Sequence, residues 1–270
     1  MITRRAGISP KGRAELTAVL GSRRRFVTPT DVVQALGVDP DTAAKKLSRW
    51  AADGWLRRAR RGLYIPVPLD AANPATWSED ALIVAAAVWA PCYFTGWTAA
   101  NHWGLTEQTF RTTVLKTARR VRASAVTLLE HDYLLTHIDA AELAWGTKTE
   151  WRGEVRLQMA DPARAVVDIL DAPRLGGGIR HGAEIVASYL DDHDFAPLID
   201  YGDRLGNRAV FKRLGYIAET LGIGGAVVDA CRARLSAGVS LLDPDGPRGG
   251  RRVNRWGLRV NVEIGREHPA

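Results

Sequence analysis

The chain has 270 residues, 46% hydrophobic and 25% charged, a globular composition with length enough for two domains. Two distant cysteines, Cys92 and Cys231, exclude a disulfide scaffold or cysteine-rich zinc site. The start, Met1 to Pro10, lacks a signal peptide's apolar run, and the longest apolar run, Ala81 to Phe94, is broken by Pro91 and falls short of the ~18–20 residues of a membrane span. A cytoplasmic protein with no membrane partner is expected. The formal charge of +7 is unevenly placed: through Ile65, fourteen basic residues stand against five acidic ones, a net of +9, and the rest of the chain carries −2. A dense positive field on one small domain is the footprint of a phosphate-backbone binder.

The first helix is predicted over Lys11 to Leu20, with Leu16, Val19 and Leu20 on one face, broken by Gly21 and the Arg23–Arg25 run. Thr28-Pro29-Thr30-Asp31 is a helix start, with Thr28 as cap, Pro29 in the first turn and Asp31 at the positive helix end. That helix ends at Gly37. Only Val38 precedes the next start, with Asp39 as cap and Pro40 at the first helical position, and this third helix runs to about Asp53 before Gly54. Two short helices joined by a tight turn containing glycine read as a helix-turn-helix. On the third helix Ala43, Leu47, Trp50 and Ala51 share the core side. Thr42, Lys45, Arg49 and Asp53 fall opposite, with Lys46 at the flank. A recognition helix inserts such a polar face into the major groove, where Lys45 and Arg49 read guanine or bind phosphate.

Trp55 to Arg60 and Leu63 to Val67 read as strands around an Arg61-Gly62 turn. This wing carries Arg57, Arg58, Arg60 and Arg61, suited to backbone or minor-groove contact. Pro66 to Pro68 and Asn73-Pro74 read as a linker, which places a winged helix-turn-helix domain at 1–68 and a second domain at 75–265.

In the second region, Ser78 is expected to cap a nearly apolar, buried helix from Ala81 to Trp89. A short strand at Cys92–Thr95 and a short helix at Thr98–Trp103 follow. Strands are predicted at 112–117, 125–130, 134–138 and 153–158, and Asp161-Pro162 opens a helix. Further helices are expected at 179–191, 195–204, 207–221 and 225–236. Strands at 239–242 and 256–262 flank a loop at 243–250. Strands in a block followed by helices give α+β: an N-terminal winged helix-turn-helix followed by a larger mixed α/β C-terminal domain.

Catalytic signals are weak. A metal nuclease needs a carboxylate-x-Lys pair on a strand, and the nearest match, Glu154-Val155-Arg156, has arginine in the lysine's place. The six histidines form no His-x-x-x-His pair. Gly176-Gly177-Gly178 has no Lys-Ser/Thr after it and reads as a flexible loop, and Asp191 to Asp194 as a helix end with solvated carboxylates. Trp97, Trp103, Trp145 and Trp151 are assigned to packing. No enzyme, metal or cofactor is expected.

Across most of the chain the order of segments resembles the AbiEi antitoxins of type IV toxin–antitoxin systems. The resemblance is carried by Arg60 to Pro66 (Arg-Arg-Gly-Leu-Tyr-Ile-Pro) and by the Trp77–Asn101 block with Tyr93-Phe-Thr-Gly-Trp97 and Ala99-Ala-Asn-His102. It continues in Asp161-Pro-Ala-Arg-Ala165 and Trp256-Gly-Leu-Arg-Val-Asn261. It implies a winged helix that binds operator DNA at inverted repeats upstream of its own operon and represses transcription. It also implies a C-terminal domain that counters a cognate nucleotidyltransferase toxin, with or without direct contact. The DNA-binding residues carried forward are Thr42, Lys45, Lys46, Arg49, Arg57, Arg58, Arg60 and Arg61. The rival readings are a winged-helix transcription factor with a small-ligand-sensing domain, favoured by an apolar pocket at Trp97 and Trp103, and a metal-dependent nuclease that only docks through the wing.

Overall fold

A computed structural model describes residues 7–21, 25–73 and 76–265. Arg23 and Arg24 of the basic run, Pro74 of the expected linker, the first six residues and His268 lie outside the described residues. The chain divides into two compact units, Met1–Ala90 with Ala125–Asp132, and Pro91–Ser124 with Tyr133–Ala270.

In the first unit α1 (Pro10–Leu20), α2 (Pro29–Leu36) and α3 (Pro40–Ala52) each open on a proline behind an oxygen-bearing cap, Ser9, Thr28 and Asp39 respectively. The proline ring holds φ at a helical value where no hydrogen bond is lost, and the cap oxygen accepts an otherwise unpaired N–H. Thr28 and Asp31 close a reciprocal capping box. Gly37 turns left-handed at φ 64°, so α2 stops and α3 starts three residues later, at Pro40. The strands β1 (Leu56–Arg60) and β2 (Leu63–Pro66) pair antiparallel. Val27 adds a third rung, exchanging both main-chain hydrogen bonds with Tyr64. The core between them holds Leu16, Val19, Val32, Ala43, Leu47, Trp50, Leu56 and Tyr64, with Ala51 packed at its margin. Helix α4 (Ala81–Trp89) groups with this unit. Its cap is Asp80, not Ser78, because Asp80 directly precedes the first helical residue and its carboxylate accepts from the Leu82 and Ile83 N–H groups.

The second unit begins with β3 (Cys92–Phe94), α5 (Gly96–His102) and β4 (Thr112–Thr117). Strand β5 (Ala125–Leu128) and the first two residues of β6 (His131–His137) are counted with the first unit. Then come β7 (Thr147–Arg152), β8 (Val155–Ala160), α6 (Pro162–Asp171), α7 (Ile179–Asp192), α8 (Ala196–Leu205), α9 (Ala209–Leu221) and α10 (Gly225–Arg232). Short strands β9 (Ser240–Leu241), β10 (Arg251–Val253) and β11 (Leu258–Val260) close the chain in the order β10–β11–β9. In the main sheet the strands of this unit run β6–β4–β3–β8–β7, with β3 antiparallel to β4 and parallel to β8. The helices bury Val166, Val167, Ile169 and Leu170 of α6 against Ile185, Leu198, Phe211 and Trp256. The fold is α+β, a winged helix-turn-helix followed by a larger mixed region.

Three local expectations change. The strand expected from Gly153 starts at Val155, because Gly153 and Glu154 form a turn that returns the chain from β7, a polar strand with no apolar alternation to announce it. Trp256 lies in a 3-10 turn, buried, with its Nε1 donating to Glu219, and β11 is correspondingly short. Of the three glycines Gly176 is packed, against Ile169, while Gly177 is exposed, and the first N–H of α7, on Ile179, donates to the Asp243 carboxylate at 2.8 Å.

Candidate nucleic-acid interface

Helix α3 faces the unit's core through Ala43, Leu47 and Trp50, which leaves its polar stripe outward. Lys45 is exposed, with no charged or hydrogen-bonding partner among the described residues. The Arg49 side chain is 84% exposed, and Asp53, one turn on, reaches it only at 3.8 Å. Thr42 and Lys46 are occupied. The Thr42 N–H and hydroxyl both donate to Asp39, which holds that carboxyl below its ordinary range, and the Lys46 ammonium pairs with Glu15 of α1 at 2.6 Å.

The wing sorts its arginines in the same way. A register shift between Arg58 and Arg60 buries Ala59 and leaves Arg58, Arg60 and Arg61 exposed. Arg57 turns inward: its guanidinium donates to the Trp77 carbonyl at 2.6 Å and lies 3.4 Å from Glu130, with its side chain 17% exposed. Arg25, next to the undescribed part of the basic run, pairs with Glu79 at 3.2 Å. The exposed cations on the helix and wing are therefore Lys45, Arg49, Arg58, Arg60 and Arg61. Such guanidinium and ammonium groups bind phosphate oxygens or guanine edges without first breaking a strong internal pair.

The second unit holds a buried ionic knot. Asp168 of α6 is fully buried and accepts from four donors: Lys116 Nζ and Arg164 Nε at 2.9 Å, the Thr95 hydroxyl at 2.7 Å and the Tyr93 hydroxyl at 3.0 Å. Burial opposes its charge, but Lys116 and Arg164 outweigh that cost and hold the carboxyl below its ordinary value. Arg164 also donates to the Tyr93 hydroxyl at 2.6 Å and stacks on Trp145, 3.3 Å from the ring centre. Burial and the Asp168 charge push the Tyr93 phenol well up. Two segments singled out in the sequence, Tyr93 to Trp97 and Asp161 to Ala165, thus meet here, though neither had marked Asp168 or Lys116.

Trp97 and Trp103 pack. Their Nε1 atoms donate to the Thr112 and Ala160 carbonyls, and Trp97 stacks on Phe110. Clefts of about 530 and 430 Å³ in this unit are lined by residues 235–257 and 216–264 respectively, and neither includes Trp97 or Trp103. Trp151, assigned to packing, is instead 60% exposed because β7 lies at the sheet edge. Among the described residues no three His, Cys, Asp or Glu side chains gather as a metal site, and no helix is long and apolar enough to cross a membrane.

Residues 15–67 match the family model described as transcriptional regulator, AbiEi antitoxin. The match falls on the winged helix, which is similar to the AbiEi regulators over these residues. Among proteins of curated function, no relative matches the sequence. A solved structure, the RV2827C protein from Mycobacterium tuberculosis, superposes with a TM-score of 0.67 at 18% identity, covering 95% of this chain and 93% of that one. The likeness extends the shared fold through the larger region. Within the winged helix the sequence pattern located every helix and the wing, but charge alone did not separate Lys45 from Lys46 or Arg58 from Arg57. The Glu15 and Glu130 partners come from distant segments.

Proposed function

We propose that the chain is an autorepressor and antitoxin. In this reading the domain at 1–68 binds double-stranded operator DNA at inverted repeats ahead of its own operon, and the domain at 75–265 counters a cognate nucleotidyltransferase toxin in the cytoplasm without itself catalysing a reaction. The observation that carries the DNA half is the set Lys45, Arg49, Arg58, Arg60 and Arg61, exposed on the recognition helix and wing of an AbiEi domain. Thr42, Lys46 and Arg57 are instead engaged by internal partners, Asp39, Glu15, and Trp77 with Glu130 respectively.

The deciding measurement is binding of the full chain to duplex DNA from upstream of its own reading frame, against a scrambled duplex of equal length at fixed salt. Specific binding at least about 10³-fold tighter supports repression, and equal affinities overturn it. For the antitoxic half, the full chain carrying Arg60→Ala and Arg61→Ala is coexpressed with the nucleotidyltransferase encoded beside it. Rescued growth places antitoxicity outside the wing, whereas loss of rescue would mean that it acts through DNA.

A further inference from the structure

Strand β7 ends the order of its sheet, with β8 as its one neighbour there. All six of its residues pair with β8 in unbroken register, from Thr147↔Ala160 to Arg152↔Val155. It carries no proline and no bulge, and Lys148, Thr149, Trp151 and Arg152 are exposed. A regular, open edge is a template for another strand. We propose that β7 is the seam of a homodimer, pairing antiparallel with β7 of a second copy about a twofold axis through Thr149.

The turn sets which main-chain groups are free. Gly153 at φ 59° followed by Glu154 makes a two-residue loop, so the closing pair Arg152–Val155 is hydrogen-bonded. Alternation then aims the main-chain groups of Arg152, Glu150 and Lys148 at β8, and those of Thr147, Thr149 and Trp151 outward, where they meet no partner among the described residues. Centring the twofold on Thr149 sets it opposite its own copy and Thr147 opposite Trp151, so every outward group is matched, with about six new main-chain hydrogen bonds.

The side chains fit that register. Lys148 falls opposite Glu150 of the second copy, and Glu150 opposite its Lys148, both in the closer, non-hydrogen-bonded pairs where opposite charges help most. Lys148 lies over the Trp103 ring at 5.0 Å and Glu150 stands 3.3 Å from His102 Nε2, so neither is spent on an internal lysine–glutamate pair. Trp151, 60% exposed in the single chain, would cover Thr147 of the second copy beside the small Ala160. A shift by one residue opposes outward to inward groups, and a twofold on Trp151 shortens the ladder to residues 150–152. A second copy is thus favoured by charge and shape. Two joined chains would offer two winged helices to an operator of inverted repeats, a consequence that rests on the proposed function while the seam does not.

Sedimentation velocity of the full chain over a dilution series tests it. A reversible monomer–dimer equilibrium is expected. Lys148→Glu or Glu150→Lys alone should weaken it about tenfold or more, and the two together should restore it. Thr149→Pro, tolerated at an edge, removes the central outward N–H and should leave a folded monomer. A monomer at every concentration overturns the proposal, as does a dimer indifferent to Thr149→Pro. Failure of the double exchange to restore a dimer that both single changes weakened overturns the Thr149 register.

Discussion

The ammonium of Lys46 sits 2.6 Å from the Glu15 carboxylate, so two adjacent lysines of α3 differ in their surroundings. Lys46 ties α3 to α1, and Lys45 is exposed with no partner among the described residues. Lys46→Ala should cost ~1 kcal/mol of stability, since the pair is only partly shielded from water, and leave operator affinity nearly unchanged. Lys45→Ala should lower affinity for all duplexes and reduce the salt slope by about one. Fluorescence anisotropy against salt separates them. Equal losses from both, with unchanged melting, would contradict the assignment.

Arg49 is the one arginine of α3, its side chain 84% exposed and held only loosely by Asp53. If it reads a base, Arg49→Ala weakens operator binding by about 1–3 kcal/mol and flattens discrimination at one position of the site. Competition binding with single-base operator variants makes that position visible.

Changing Arg60 and Arg61 together to Ala should lower affinity across sequences and reduce the salt slope by roughly two, if these exposed wing cations bind phosphate as proposed. A selective loss for the operator alone would show that the wing reads sequence.

Arg57 carries the opposite expectation. Its bonds to the Trp77 carbonyl and Glu130 fall inside the first unit, so Arg57→Ala should lower its stability by about 1–3 kcal/mol while the exposed cations keep DNA affinity. Thermal melting and anisotropy on the same sample decide it.

How far the sequence was legible depends on the range of each interaction. Caps such as Thr28, Asp39 and Asp161 act within three residues, and these helix starts were readable from the chain. The sheet edge was not, since β7 is polar on both faces and shows no alternation until β8 pairs with it. Neither was Asp168. It reads as an ordinary polar residue of α6, one turn after Arg164, until Tyr93, Thr95 and Lys116 arrive from 52 to 75 residues away. The charge division singled out the domain proposed to bind DNA, but which cations are exposed and unpaired is decided by acidic partners that the division only counts.

That buried knot gives the larger region a distinct dependence on pH. Asp168 is held below its ordinary carboxyl value in the folded chain, against burial, by Lys116 and Arg164. A depressed folded value means that its stabilisation is complete above the unfolded carboxyl value near ~4 and is lost as pH falls through the folded value. Asp168→Asn keeps the shape but removes the charge, leaving Lys116 and Arg164 buried without their main counter-ion. A loss of about 3–5 kcal/mol at neutral pH is expected, with a shallower decline of stability below pH ~4 than in the parent chain. Urea unfolding from neutral to acid pH, followed by tryptophan fluorescence, measures both. If the variant kept the parent's acid slope, the carboxylate responsible for that slope would not be Asp168.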